Sequence, residues 1–196
     1  IDAGGGTVVP GMIDTHVHFT LTGLGLFAVD LTGVPTVTAA LERIASGASG
    51  KAPGDLVLAL GYEPYGVAEA RFPTPAELDA AAGGRPVYVM ESGGHWCAVN
   101  AAALALLDLD AATPGLDRDA AGTPTGVLRA AANSAAFTAF WRIFAVQVGL
   151  QRAFAAAAQE AARHGVTTLH ALDDLENVQA LLACQDQLAV RVVPYT

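Results

Sequence analysis

The sequence predicts an α/β fold built on a parallel sheet, and three observations carry that expectation. Short apolar runs of strand length alternate along the chain with Ala-rich segments of helical period, the order expected when helices cover a sheet. The 196 residues suit one sizeable domain, since single cores usually take ~100–150 residues and some run to ~250. Hydrophobic residues make up 53% of the chain and charged residues 15%, with a mean hydropathy of +0.41, which places it on the globular side of the disorder boundary.

Taken in order, residues 7–13 read as the start of a strand interrupted by the Pro10-Gly11 turn, and Ile13 to Phe19 as a buried strand end. Thr36 to Ser46 has helical period and is expected to end at Gly47. Leu56 to Leu60 is an apolar run of strand length closed by Gly61. Thr74-Pro75-Ala76-Glu77 combines a hydroxyl cap, a proline at the first helical position and a carboxylate three residues after the cap. The helix it opens should end at Gly83-Gly84. Arg85 to Met90 is a β-rich run leading into Glu91-Ser92-Gly93-Gly94-His95, whose glycines permit a tight exit from the strand.

Asn100 can cap a helix over Ala101 to Leu107. Residues 108–125 are rich in Asp, Gly and Pro and are expected to form a long surface excursion. Gln147 to His164 has the composition of a strong helix, with Gly165 placed for a left-handed end. Val166 to His170 reads as a strand, Asp173 as the cap of a helix reaching Gln187, and Ala189 to Val193 as a last strand.

The chemistry concentrates in Pro10-Gly11-Met12-Ile13-Asp14-Thr15-His16-Val17-His18. On a strand, residues two apart share a face, so the imidazoles of His16 and His18 converge and one metal ion can take both. Zinc accepts neutral imidazole nitrogen at ~2.0–2.1 Å. Asp14 lies on the same face, where it can contact an imidazole or anchor the backbone.

In its context this run resembles the first-strand signature of the amidohydrolase superfamily. The resemblance continues in Glu77 to Ala81 with Arg85-Pro86-Val87, in Gly94 to Asn100 with Ala103-Leu104, in Gly122 to Leu128, and in Gly165 to His170. These segments look like the successive signatures of amidohydrolase family 3, in that family's order. What the resemblance implies is a partial TIM (β/α)8 barrel of the metal-dependent hydrolase type, truncated before the later metal-ligand strands. Residues 1–7 would then be the remnant of a segment leading out of an N-terminal β-sandwich, and residues 8–196 the first part of the barrel.

The same resemblance implies hydrolysis of a carbon–nitrogen bond other than a peptide bond, in a small-molecule substrate of amide or N-acyl type. One or two divalent metal ions, zinc in most members, activate water by lowering its pKa from ~15.7 toward ~7. His16 and His18 would be metal ligands and His95 a substrate-binding residue, while no residue of this chain is assigned as the general acid or base. The family's other ligands are a Lys or Glu near the end of strand 4, histidines on strands 5 and 6, and an Asp on strand 8.

The sequence also departs from the family. Its one lysine, Lys51, lies in a Gly-Lys-Ala-Pro loop signal and is a poor bridging ligand. Trp96-Cys97 follow the Gly-His pair in place of small polar or aromatic residues, and Ala130 stands where many members have Glu. The alternative reading is a truncated, catalytically incomplete barrel fragment with an interaction role or no function. A half-open barrel would leave an unpaired sheet edge, so self-association through that edge is expected.

The net charge of −9, with scattered arginines, excludes a phosphate-backbone partner such as nucleic acid. No apolar run reaches the ~20 residues needed to span a bilayer, so no membrane partner is expected. Cys97 and Cys184 do not make a disulfide framework and read as buried thiols, consistent with a cytoplasmic location. Several residues admit structural roles. His95 could anchor its own loop, His170 could be a hydrogen-bonded strand residue, and His164 a last-turn cation favoured by the helix dipole. Glu63, Asp173 and Asp174 suit loop or cap roles, and Trp96 and Trp141 suit core or loop anchors.

Overall fold

The computed structural model describes residues 2–107, 109–110 and 112–196. Ile1, in the expected 1–7 remnant, and Asp108 and Ala111, at the start of the expected loop excursion, lie outside the described residues. The fold is mixed α/β, and the chain divides into two compact units, residues 28–147 and residues 1–27 with 148–196.

In the central unit, β2 (Val29–Asp30), β3 (Val57–Tyr62) and β4 (Val87–Glu91) are parallel. The apolar runs of β3 and β4 are continuous because both faces are covered, and Val57, Leu58, Ala59, Val87, Tyr88 and Val89 are all buried. From β4 onward the sheet differs from the parallel expectation. β5 (Trp96–Val99), β7 (Pro124–Arg129) and β6 (Leu116–Arg118) complete the order β2-β3-β4-β5-β7-β6 in antiparallel pairs. The cause is connection length. Only Ser92 to His95 separate β4 from β5, whereas a parallel crossover needs about a dozen residues or more. The segment expected as a surface loop therefore contains β6 and the start of β7.

The helices of this unit follow their local signals closely. In α2 (Val37–Ala48) the Thr36 hydroxyl accepts from the Ala39 amide at 3.1 Å. Gly47 does not end that helix as expected. It lies inside it, where a Cβ would collide with the Val29 side chain, so the glycine permits close packing of α2 on β2. α3 (Pro75–Ala82) opens with a complete capping box: the Thr74 hydroxyl accepts from the Glu77 amide, and Glu77 accepts from the Thr74 amide at 2.7 Å. Arg71 grips the same carboxylate with two nitrogens, and these bonds hold the Glu77 carboxyl down at about 2.

Asn100 does more than cap α4 (Ala101–Leu104). Its Oδ1 accepts from Ala103 and Val87 amides, and its Nδ2 donates to the Asp79 carboxylate and the Arg85 carbonyl, all from a fully buried position. A long helix, α5 (Ala130–Val148), follows β7 and was not expected. Gly149, with φ 87°, separates it from α6 (Leu150–Arg163), so the expected helix over 147–164 is α6 alone. Gln147 belongs to α5, where its side-chain amide pairs with the Leu56 backbone at 3.0 and 3.1 Å.

The second unit is a three-stranded parallel sheet, β1 (Met12–Val17), β8 (Val166–Leu172) and β9 (Arg191–Tyr195), in the order β1-β8-β9. Its core joins α1 (Phe19–Gly25) to α6 through the stacked rings of Phe19 and Phe154, 5.7 Å apart, with Ala157, Ala158, Leu169 and Leu181 around them. β1 is not the buried strand end expected. Met12 is 55% exposed and Ile13 59%, because β1 is an edge strand paired with β8 alone among the described residues. α7 (Leu175–Leu182) is also shorter than expected. Asp174, not Asp173, stands at its N-cap, and a 3-10 turn at Gln185–Gln187 follows it.

Candidate functional site

The two histidines of the motif sit where β1 passes into α1: His16 is on the strand and His18 is the N-cap residue of the helix. Their rings meet edge to face with centroids 5.4 Å apart, so the two imidazoles lie side by side rather than on opposite faces. Asp14 anchors the backbone leading into His16, its Oδ1 accepting from the His16 amide at 3.0 Å. Both residues are exposed.

The two rings meet different partners. His18 Nδ1 lies 3.3 Å from the Leu172 carbonyl. A carbonyl can only accept, so Nδ1 carries the proton and Nε2 presents its lone pair. Around His16, the Tyr195 hydroxyl donates to the Thr15 carbonyl at 3.5 Å and stands 3.5 Å from Nδ1. A hydroxyl can donate or accept, so this contact places the His16 ring beside Tyr195 without choosing its tautomer. Ligating histidines are commonly oriented as His18 is, with the second ring nitrogen donating to a carbonyl or similar acceptor.

Asp173 completes the surroundings from the end of β8. His18 makes no side-chain cap to α1; instead Asp173 accepts from the Thr20 amide at 3.2 and 3.3 Å. The carboxylate thus caps the helix that begins immediately after His18. Burial pushes the Asp173 carboxyl up, while the bonds from Thr20 and the nearby His18 pull it down. Among the described residues, no group of three or more His, Cys, Asp and Glu side chains is placed to hold a metal ion.

His95 belongs to the other unit, in the turn between β4 and β5, and it is exposed. The loop is anchored by Glu91 rather than by His95. The Glu91 carboxylate accepts from the Gly93 amide at 2.8 Å and from the His95 amide at 3.3 Å, and Asn133 donates to the Gly94 carbonyl at 3.0 Å. Lys51 lies in a loop with its ammonium 5.8 Å from the Phe144 ring centre. His164 bonds its own helix through Nδ1 and the Glu160 carbonyl at 2.9 Å, the last-turn role expected of it. Cys97 and Cys184 are buried and free, and burial pushes the Cys97 thiol up to about 12.

Sequence reasoning found the histidine pair but missed the Tyr195 hydroxyl, the Leu172 carbonyl and the capping role of Asp173. No local signal marks them, because each acts on residues more than 150 positions away. The Glu91 anchor was missed as well: the side chains that mark such turns in a sequence are Asp and Asn, not the longer Glu.

The profile of the amidohydrolase family matches residues 1–195. The N-substituted formamide deformylase of Arthrobacter pascens is 34% identical over 152 residues, which cover 74% of this chain and 28% of that protein. The exoenzymes regulatory protein AepA of Pectobacterium carotovorum subsp. carotovorum is 31% identical over 144 residues, covering 67% of this chain and 31% of that one. The chain therefore spans about a third or less of the length of these relatives. The crystal structure of an uncharacterized metal-dependent hydrolase from Pyrococcus horikoshii OT3 superposes with a TM-score of 0.71 at 22% identity, over 95% of this chain and 36% of that one. A corresponding hydrolase from Pyrococcus furiosus gives 0.69, also at 22% identity, over 95% of this chain and 37% of that one. At that identity the likeness is one of fold. No helix among the described residues is long and apolar enough to cross a membrane.

Proposed function

This chain belongs to the amidohydrolase family, and from that premise we propose that its parent protein is a cytoplasmic metal-dependent hydrolase of carbon–nitrogen bonds other than peptide bonds. The substrate class is a small amide, N-acyl or N-formyl amine. The formamide deformylase of Arthrobacter pascens, similar over 74% of the chain, supports that choice. The parallel strands of each unit and the likeness to two metal-dependent hydrolases support a partial TIM (β/α)8 barrel. Residues 1–7 are then the tail of a preceding β-sandwich, and residues 8–196 the first part of the barrel.

One observation carries the metal reading: neighbouring imidazoles 5.4 Å apart between centroids, with His18 Nδ1 turned to the Leu172 carbonyl so that its Nε2 lone pair is free for a metal. That donor set fits a borderline divalent ion such as zinc. A catalytic zinc site needs three protein ligands, so His16 and His18 are two of the set and the parent protein supplies the rest. When bound, the ion supplies Lewis-acid polarisation of the substrate carbonyl and a lowered pKa for water. The work of this chain is positional. Asp14 holds the His16 backbone, Leu172 and Tyr195 orient the rings, and Asp173 fixes the start of α1 behind His18. His95 is assigned to the substrate, on a loop that Glu91 and Asn133 stiffen.

The test is a panel of N-formyl and N-acyl amines offered to the full-length protein before and after chelation, with bound metal measured after dialysis. Chelator should abolish turnover and zinc should restore it, and His16→Ala and His18→Ala should each lose most of the retained zinc. Turnover and metal content indifferent to both histidines would overturn the reading.

A further inference from the structure

We propose that the cleft at the exits of β3 and β4 binds an organic ammonium cation. The cleft encloses about 450 Å³ and is lined chiefly by Glu63, Tyr65, Glu91, Ser92 and Trp96. Two of these are carboxylates and two are aromatic rings, and no Lys or Arg is among its lining residues. An ammonium group with apolar substituents satisfies both kinds of wall at once, whereas a strongly hydrated metal ion has no apolar surface to lay against the rings.

The aromatic wall is prepared for such a ligand. Tyr65 and Trp96 stand edge to face, 5.7 Å between centroids and 80° between planes. Tyr65 is 74% exposed, so its ring leaves a large apolar surface in contact with solvent. Trp96 already takes one cation on its ring: the Arg129 guanidinium lies 4.0 Å from the indole centre. The charge of Arg129 is paired, through a 2.8 Å bond from Nε to Asp117, so it does not neutralise the carboxylates of the cleft.

The carboxylates divide the labour. Glu91 spends its oxygens on the Gly93 and His95 amides, which fixes a negative charge in the wall. Glu63 receives the Ser92 hydroxyl at 3.4 Å, a long bond that leaves most of its accepting capacity unused. Glu63 is therefore the partner for the ammonium, with Tyr65 and Trp96 against its substituents. Taken with the hydrolase reading, on which this further step rests, the favoured substrates are amides that carry a separate cationic amine.

The site can be tested without metal or turnover, so a failed hydrolysis assay leaves it standing and a failed binding assay leaves the hydrolase reading standing. The full chain, dialysed against chelator, is titrated calorimetrically with choline and with its uncharged isostere, in which carbon replaces the ammonium nitrogen. Choline should bind saturably and about tenfold more tightly than the isostere. Glu63→Gln and Tyr65→Ala, both at exposed positions, should each remove most of that advantage. Absence of saturable choline binding, equal binding of the two compounds on the unaltered chain, or an advantage that survives both substitutions would overturn the proposal.

Discussion

The two units hold their functional side chains by different means. In the central unit β3 and β4 are largely buried, a buried hub at Asn100 ties β4 to α3 and α4, and Glu91 and Asn133 hold the turn that carries His95. In the other unit β1, which leads to the histidine pair, is exposed at every residue but the last, and its geometry depends on a few hydrogen bonds. The lesson is that packing fixes the backbone of one unit, while the imidazoles of the other are oriented by bonds that a single substitution can remove. Perturbing the buried hub should therefore cost much stability, and perturbing β1 should cost little.

The largest effect is expected at Asn100. Replacing it by Ala leaves the Val87 and Ala103 amides, the Arg85 carbonyl and the Asp79 carboxylate without this partner in a buried place. Unpaired buried groups cost ~1–3 kcal/mol each before relaxation, so a loss of roughly 3–5 kcal/mol is expected in denaturant unfolding. A loss below ~1 kcal/mol would mean that water replaces the amide and that the hub is not what secures this unit.

A smaller effect is expected at Asp173, whose carboxylate caps α1 from the end of β8. Asp173→Ala should cost ~0.5–2 kcal/mol, the usual value of a lost N-cap. The distinguishing readout is local. Exchange of the Thr20 amide should quicken while amides of the buried β3 strand keep their protection, and Asp173→Asn, which retains an acceptor oxygen, should recover most of the difference. Uniform loss of protection would show that the cap supports the whole chain rather than the segment after His18.

What the sequence made legible follows the same division. Signals that act within four residues were readable: the Thr74 capping box, the helix end at Gly83, the left-handed Gly165 and the Asn100 cap all appear as expected. The histidine pair was read from a period of two on a strand, and the rings do meet, but β1 ends at Val17 and His18 is the N-cap of α1, so the turn from strand to helix places its ring. The antiparallel half of the central sheet was not readable, since β5 and β6 are only four and three residues long and show no sustained alternation. Nor was α5, whose start carries no capping residue; Ala130 begins it with φ 44°, a backbone conformation that no alanine signals in advance. The exposure of β1 escaped for a different reason. Met12-Ile13 is an apolar pair that reads as buried, and only the pairing of strands reveals that it lies at an edge.

The smallest stability effect is expected at that edge, and it is the one that separates exposure from function. Ile13 is 59% exposed and Met12 55%, so Ile13→Ala removes little buried surface and should change unfolding stability by no more than ~0.5 kcal/mol, as at ordinary surface positions. An exposed apolar edge strand is nevertheless a template for pairing with another chain, and self-association of the isolated chain through β1 is the expectation put to the test. Light scattering after size exclusion should show a concentration-dependent increase in mass for the unaltered chain. Met12→Lys with Ile13→Lys should suppress it, because charge on an edge strand opposes pairing, while the far-ultraviolet spectrum stays unchanged. If the unaltered chain runs as a monomer at every concentration, the edge is covered by something else, and a large stability loss in Ile13→Ala would show what covers it to be part of this chain's own fold.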